Sequence, residues 1–128
     1  MRKVILMTLL AVVSNSAMAE WVEVGATAIF TAYVDPATLR KTGNMVKMWD
    51  AMDFSITQTS TGKQFRSIKS QREFDCKELS IRVLYTRFYT LKMGDGNVVF
   101  TSNVVRDWAP VSPESIDEIL WKFACGKK

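Results

Sequence analysis

The strongest constraint in this chain is the stretch Arg72–Leu91, REFDCKELSIRVLYTRFYTL, the longest run of β-favouring residues in the sequence. From Leu79 the odd positions read Leu79, Ile81, Val83, Tyr85, Arg87, Tyr89 and Leu91; the even ones read Ser80, Arg82, Leu84, Thr86, Phe88 and Thr90. Successive side chains of a strand point to opposite faces, so a mostly apolar odd set predicts a strand with that face on a core. A turn-like Lys77-Glu78 precedes it, and before the turn stands Cys76, one of only two cysteines.

The N-terminus determines the compartment. Met1–Ala19 reads MRKVILMTLLAVVSNSAMA: a basic start at Arg2 and Lys3, an apolar run from Val4 to Val13, and a small-x-small site at Ala17-Met18-Ala19. That order of parts is a secretory signal peptide, and the run is too short for a membrane span. The expected mature chain is residues 20–128, one domain, with no transmembrane anchor and no cysteine near the cleavage point, hence not a lipoprotein. The periplasm is the first destination, with the cell surface or the medium beyond it.

Loss of the signal takes two of the 17 basic residues and leaves 13 acidic ones in place. Charges that nearly balance and alternate in sign exclude a nucleic-acid footprint. Cys76 and Cys125, paired in an oxidising compartment, predict a disulfide. There is no histidine. That removes Ser–His and Cys–His catalysis and the commonest metal ligand together, so no metal site and no cofactor is expected.

In chain order, Glu20–Gly25 reads as a short strand and Ala26–Val34 as its hairpin partner. Asp35-Pro36, an N-cap followed by proline at the first helical position, predicts one helical turn over Asp35–Lys41. Met45–Thr59 alternates again, with Val46, Met48, Met52, Phe54 and Ile56 on one face and Asp50 as the exception. Ser60–Lys63 is a turn and Gln64–Lys77 the next strand. Met93–Asn97, MGDGN, is a hairpin reversal leading into Val98–Ser102. Arg106–Val111 is an extended linker, and Ser112-Pro113-Glu114 starts a helix with Ser112 as N-cap. Ile116, Ile119, Leu120 and Phe123 form its apolar stripe. Cys125 falls about half a circle from Ile116 at 100° per residue, so either the helix unwinds before it or the bridge leaves from the flank. The fold class is α+β: an antiparallel β-sheet meander of about six strands with a C-terminal α-helix packed on one face and one disulfide.

Five segments in series, EWVEVG, AYVDPATLRKTGNMVKMWDAMDF, RSIKSQREFDCKELSIRVL, MGDGNVV and DWAPVSPESIDEILWKFAC, cover nearly all of residues 20–128. In them the chain resembles the surface-adhesin protein E-like family of Gram-negative exported proteins. The resemblance implies an antiparallel sheet with a C-terminal helix and a disulfide falling on Cys76 and Cys125. It also implies an adhesin that binds host extracellular-matrix or serum proteins and can form a homodimer. The family's founding member is a lipoprotein, which this chain is not expected to be.

With the odd face of the long strand given to the core, a binding surface falls to the even face, at Arg82, Leu84 and Phe88. Arginine and aromatic residues together are what protein interfaces favour. Packing of Leu84 and Phe88 beneath a loop, or burial of the face in a homodimer, are the other uses of it. The expected function is therefore an exported non-catalytic protein-binding module; the alternative is a periplasmic structural or accessory protein, or an inhibitor. An enzyme would rest on Asp50, whose apolar face would raise its pKa. A buried ion pair of Asp50 with Arg87, which interrupts the long strand's apolar face in the same way, is the plainer account.

Overall fold

The computed structural model describes residues 20–128, so the signal-peptide reading of residues 1–19 lies outside it. Six strands follow one another in meander order, each antiparallel to the next: β1 (Val22–Ala26), β2 (Phe30–Thr42), β3 (Met45–Ser60), β4 (Lys63–Asp75), β5 (Ser80–Tyr89) and β6 (Val98–Ser102). A two-residue strand, β7 (Ala109–Pro110), pairs with the start of β5 on the side where β6 pairs with its end. The helix α1 (Ile116–Cys125) lies on one face of the sheet. Thr61 and Gly62 close the β3–β4 hairpin with both φ angles positive, at 47° and 77°, the conformation whose twist matches that of the flanking strands.

Beneath the helix Val34, Val46, Met48, Phe74 and Ile81 meet Leu120, Trp121 and Ala124. The stripe that packs is thus rotated from the expected one: Ile119 and Phe123 are each 37 % exposed, while Leu120 is fully buried. The rotation resolves the position of Cys125, which lies one turn beyond Trp121 and on the same side. Its sulfur joins Cys76 with a Cα–Cα distance of 5.6 Å. The Trp121 indole Nε1 donates to the Asp75 carbonyl at 2.9 Å, one residue before Cys76.

The helix starts later than expected. Ser115, not Ser112, is the N-cap, and its hydroxyl accepts from the Glu118 amide at 3.2 Å while donating to the Ser112 carbonyl at 2.6 Å. The Ser-x-x-Glu spacing of a capping box decides the matter: the Glu118 carboxylate reaches back to the Glu114 amide at 3.1 Å. Ser115→Ala is expected to cost about 1 kcal/mol, read as a lowered urea midpoint.

Residues Asp35–Lys41 form no helical turn. β2 runs through them with a large bulge: Asp35 faces Trp49 and Arg40 faces Lys47, so four residues of β2 stand against Met48 alone. The capping chemistry of Asp35 is real but serves the bulge, its carboxylate accepting from the Ala37 amide at 3.2 Å. Thr38 then replaces a ladder partner by accepting from the Trp49 amide at 2.9 Å. Proline, with no amide to offer the ladder, is accommodated at such a bulge.

A smaller bulge in β5 matters more for function. Gln71 faces Tyr85 but Arg72 faces Val83, so Leu84 is an extra residue with no partner on β4. One inserted residue reverses every side chain beyond it. Ile81 and Val83 therefore share the helix-side face with Thr86 and Phe88, while Arg82 shares the opposite face with Tyr85, Arg87 and Tyr89. The odd positions of the long strand do not form one face. Leu79 and Leu91, expected at its ends, lie outside the strand and are 45 % and 56 % exposed.

Candidate binding surface

The two charges that interrupt apolar patterns do not meet. Asp50 is buried, but the bulge turns Arg87 to the other side of the sheet, and the partner of Asp50 is Arg72 on β4, Nε to Oδ2 at 2.7 Å. The Arg72 guanidinium also faces Asp117 of the helix, Nη1 to Oδ1 at 3.9 Å. Burial pushes the Asp50 carboxyl above its usual range, opposed by the charge and hydrogen bond of Arg72 and reinforced by Asp117. The Asp50 side chain is only 2 % exposed. Its geometry ties helix to sheet and gives a substrate no approach.

The helix covers only part of its face. Beyond it five phenylalanines cross the sheet strand by strand. Ring centroids are 5.5 Å apart for Phe30–Phe54, 5.7 Å for Phe54–Phe65, 4.6 Å for Phe65–Phe88 and 5.3 Å for Phe88–Phe100. Edge and tilted ring pairs at these separations contribute about 0.5–1.5 kcal/mol each beyond area burial. At the β6 end the row opens into a groove of about 220 Å³ lined by Phe65, Phe88, Val99 and Phe100, with Lys63 and Thr61 of the hairpin turn at its rim.

The groove abuts the sheet's edge. No strand among the described residues pairs with the outer side of β6. Between Asp95 and Arg106 the sequence GNVVFTSNVV contains no charge and no proline. Val98 and Phe100 on β6, and Val104 and Val105 just after it, are about half exposed or more. Edge strands are ordinarily blunted by charge, proline or a bulge. Here the one such device is a bulge at Val99, whose carbonyl receives the Lys63 ammonium at 3.4 Å.

Of the residues expected to bind, Phe88 lines this groove and Leu84 is the bulged residue. Arg82 lies on the opposite face, where the Glu73 carboxylate accepts from its Nε and Nη2 at 2.9 and 2.7 Å and its guanidinium stacks over Trp108 at 4.5 Å. The three do not form one surface. Phe65 and Phe100 complete the groove and were not legible as partners of Phe88, because the bulge at Leu84 decides which face of β5 carries Phe88. The uncharged run from Gly96 to Val105 was the available signal.

The family model for surface-adhesin protein E matches residues 21–126, essentially the whole described chain. The chain belongs to the surface-adhesin protein E family. Among solved structures, crystal form II of Haemophilus influenzae protein E superposes with a TM-score of 0.63 at 11 % identity, covering 86 % of this chain and 97 % of that one. A second structure of Haemophilus influenzae protein E gives 0.60 at 12 % identity, over 85 % and 92 %. Protein E from non-typeable Haemophilus influenzae gives 0.57 at 12 %, over 85 % and 86 %. At these identities the likeness is one of fold: the meander, the C-terminal helix and its place on the sheet. Comparison with curated protein sequences finds no match. No helix among the described residues is long and apolar enough to cross a membrane.

Proposed function

We propose that this protein is an exported, non-catalytic adhesin-like module that captures an extended segment of a protein partner along β6. The observation that carries this is the uncharged, half-exposed edge strand lying directly beside the apolar groove of Phe65, Phe88 and Phe100. Strand addition supplies main-chain hydrogen bonds for affinity, and a pocket beside the edge selects every second side chain of the visitor. An aromatic or branched aliphatic side chain suits a groove with these walls. The family name supports a partner outside the cell, a host matrix or serum protein, and a surface or secreted pool of the protein is then required.

The test combines location and binding. Cell fractionation should find the protein outside the periplasm, and the chain lacking residues 1–19 should bind an immobilised extracellular-matrix extract. Phe100→Asp places a charge on the exposed edge without touching the core. It should weaken binding at least tenfold, about 1.4 kcal/mol and within the range of an interface hot spot. Unchanged binding with an unchanged far-UV spectrum would refute the β6 site. A solution mass that falls from dimer to monomer in the same variant would assign the edge to a second copy of this chain instead.

A further inference from the structure

The face of the sheet opposite the helix carries two pairs of facing cations. Lys69 on β4 lies directly across from Arg87 on β5, and Arg40 on β2 directly across from Lys47 on β3. Like charges facing each other across neighbouring strands are destabilising. None of these four side chains forms a salt bridge among the described residues; Lys47 also faces Glu73 on β4, but that carboxylate is taken by Arg82, the one salt bridge on this face. The other acids there are engaged or distant. Asp35 accepts from the Ala37 amide, Asp53 from the Met93 amide and Asp75 from the Lys77 and Glu78 amides, and Glu23 lies three strands from Lys69, beyond Tyr33 and Ala51.

Three of the four cations are held in place rather than left to wander. Lys69 Nζ lies 5.3 Å from the Trp21 ring centroid and 5.4 Å from that of Tyr89. Arg87 donates to the Tyr85 hydroxyl from Nη2 at 2.6 Å, and the Tyr85 ring is braced edge-on by Trp49 at 5.6 Å. Arg40 is fixed by its own Nη1 donating to the carbonyls of Ala37 and Leu39 within the β2 bulge. Both pairs stand on the same face with three residues of β3, Met48 to Asp50, between their rows, which puts the rows roughly 13 Å apart along the strands. Preorganised cations of this kind lose little conformational freedom when they meet an anion.

We propose that this face binds a sulfated polysaccharide, with one run of sulfate esters on Lys69 and Arg87 and another on Arg40 and Lys47. The members of each pair are separated by one strand spacing, about 4.8 Å. A glycan bearing only carboxylates spreads its charges too sparsely to meet both, whereas several sulfates on neighbouring sugars do. The Arg forks suit sulfate oxygens as they suit phosphate. Single-stranded nucleic acid is the poorer fit, because base stacking needs open ring faces and the cations lie over those of Trp21, Tyr89 and Tyr85. This surface is on the opposite side of the sheet from the β6 groove, so the two sites stand or fall separately.

The experiment is titration calorimetry of the chain lacking residues 1–19 with a heparin oligosaccharide at physiological salt. Hyaluronan, polyglutamate and single-stranded DNA serve as comparison polyanions. Heparin should bind, weakening as salt rises, and the other three should bind at least tenfold more weakly. The variant Arg40→Gln, Lys47→Gln, Arg87→Gln should lose at least tenfold in heparin affinity while its urea midpoint stays level or rises, since repulsion is relieved. A structural role for these cations would lower the midpoint instead. Phe100→Asp should bind heparin as the parent does. Absence of heparin binding, equal binding of any comparison polyanion, or full heparin affinity in the triple variant would each overturn the proposal.

Discussion

Replacing Cys76 and Cys125 together by serine is expected to lower stability by about 4 kcal/mol, the chain-entropy value for a loop of this length. The bridge spans 49 positions and contains β5, β6, β7 and nearly all of α1. For an m-value of about 2 kcal/mol per molar urea the midpoint falls by roughly 2 M. A small domain has only about 5–15 kcal/mol of net stability to begin with. The loss should be felt first at the helix, because the bridge anchors its last turn to the end of β4, beside the Trp121–Asp75 hydrogen bond. Amide exchange in Ile116–Cys125 should rise before exchange in β3 and β4. A fall of less than 1 kcal/mol would mean that Leu120, Trp121 and Ala124 hold the helix by packing alone.

Asp50→Ala is expected to cost about 3–5 kcal/mol, because it leaves the Arg72 guanidinium buried with only the more distant Asp117 carboxylate to answer it. Asp50→Asn keeps an oxygen for Arg72 Nε and should cost less. The pH dependence has a definite sign. Burial raises the Asp50 pKa above its ordinary 3.8, so the folded state holds this proton more tightly than the unfolded chain does. That contribution to stability is present in full below 3.8 and is lost as pH rises through the folded-state value. The margin of the parent over Asp50→Asn, followed by urea midpoints from acid to neutral pH, should therefore be widest in acid and narrow upward. A margin that widens with pH would show Arg72 outweighing burial.

Where a property depended on spacing along the chain, the sequence was a sound guide. Alternation marked β3, β4 and β5, the glycines of Met93–Asn97 marked a reversal, and two cysteines in an exported chain marked their bridge. The resemblance carried by the five segments led to the same sheet, helix and family. Misreadings arose where a local signal had two uses. Asp35-Pro36 is a helix start in isolation and a bulge when Trp49 waits across the ladder for Thr38. Ser112-Pro113 and Ser115-Ile116 both offer a cap, and the carboxylate of Glu118 favours the second.

The candidate sites were the least legible part. Val83, Leu84 and Tyr85 are all at home on either face of a half-buried strand, so composition carried no trace of the bulge at Leu84. That single insertion separates Phe88 from Arg82, frees Arg87 from Asp50, and places Arg87 across from Lys69. What this sequence determined by itself was the six strands of the meander, their order, the helix and the bridge, though not the run of β2 through Asp35–Lys41 or the short β7 inside the expected linker Arg106–Val111. Which side chains share a surface was decided only by the tertiary structure. Facing depends on register between strands, and an unpaired residue in one of them moves every later side chain to the other side at almost no cost to the local pattern.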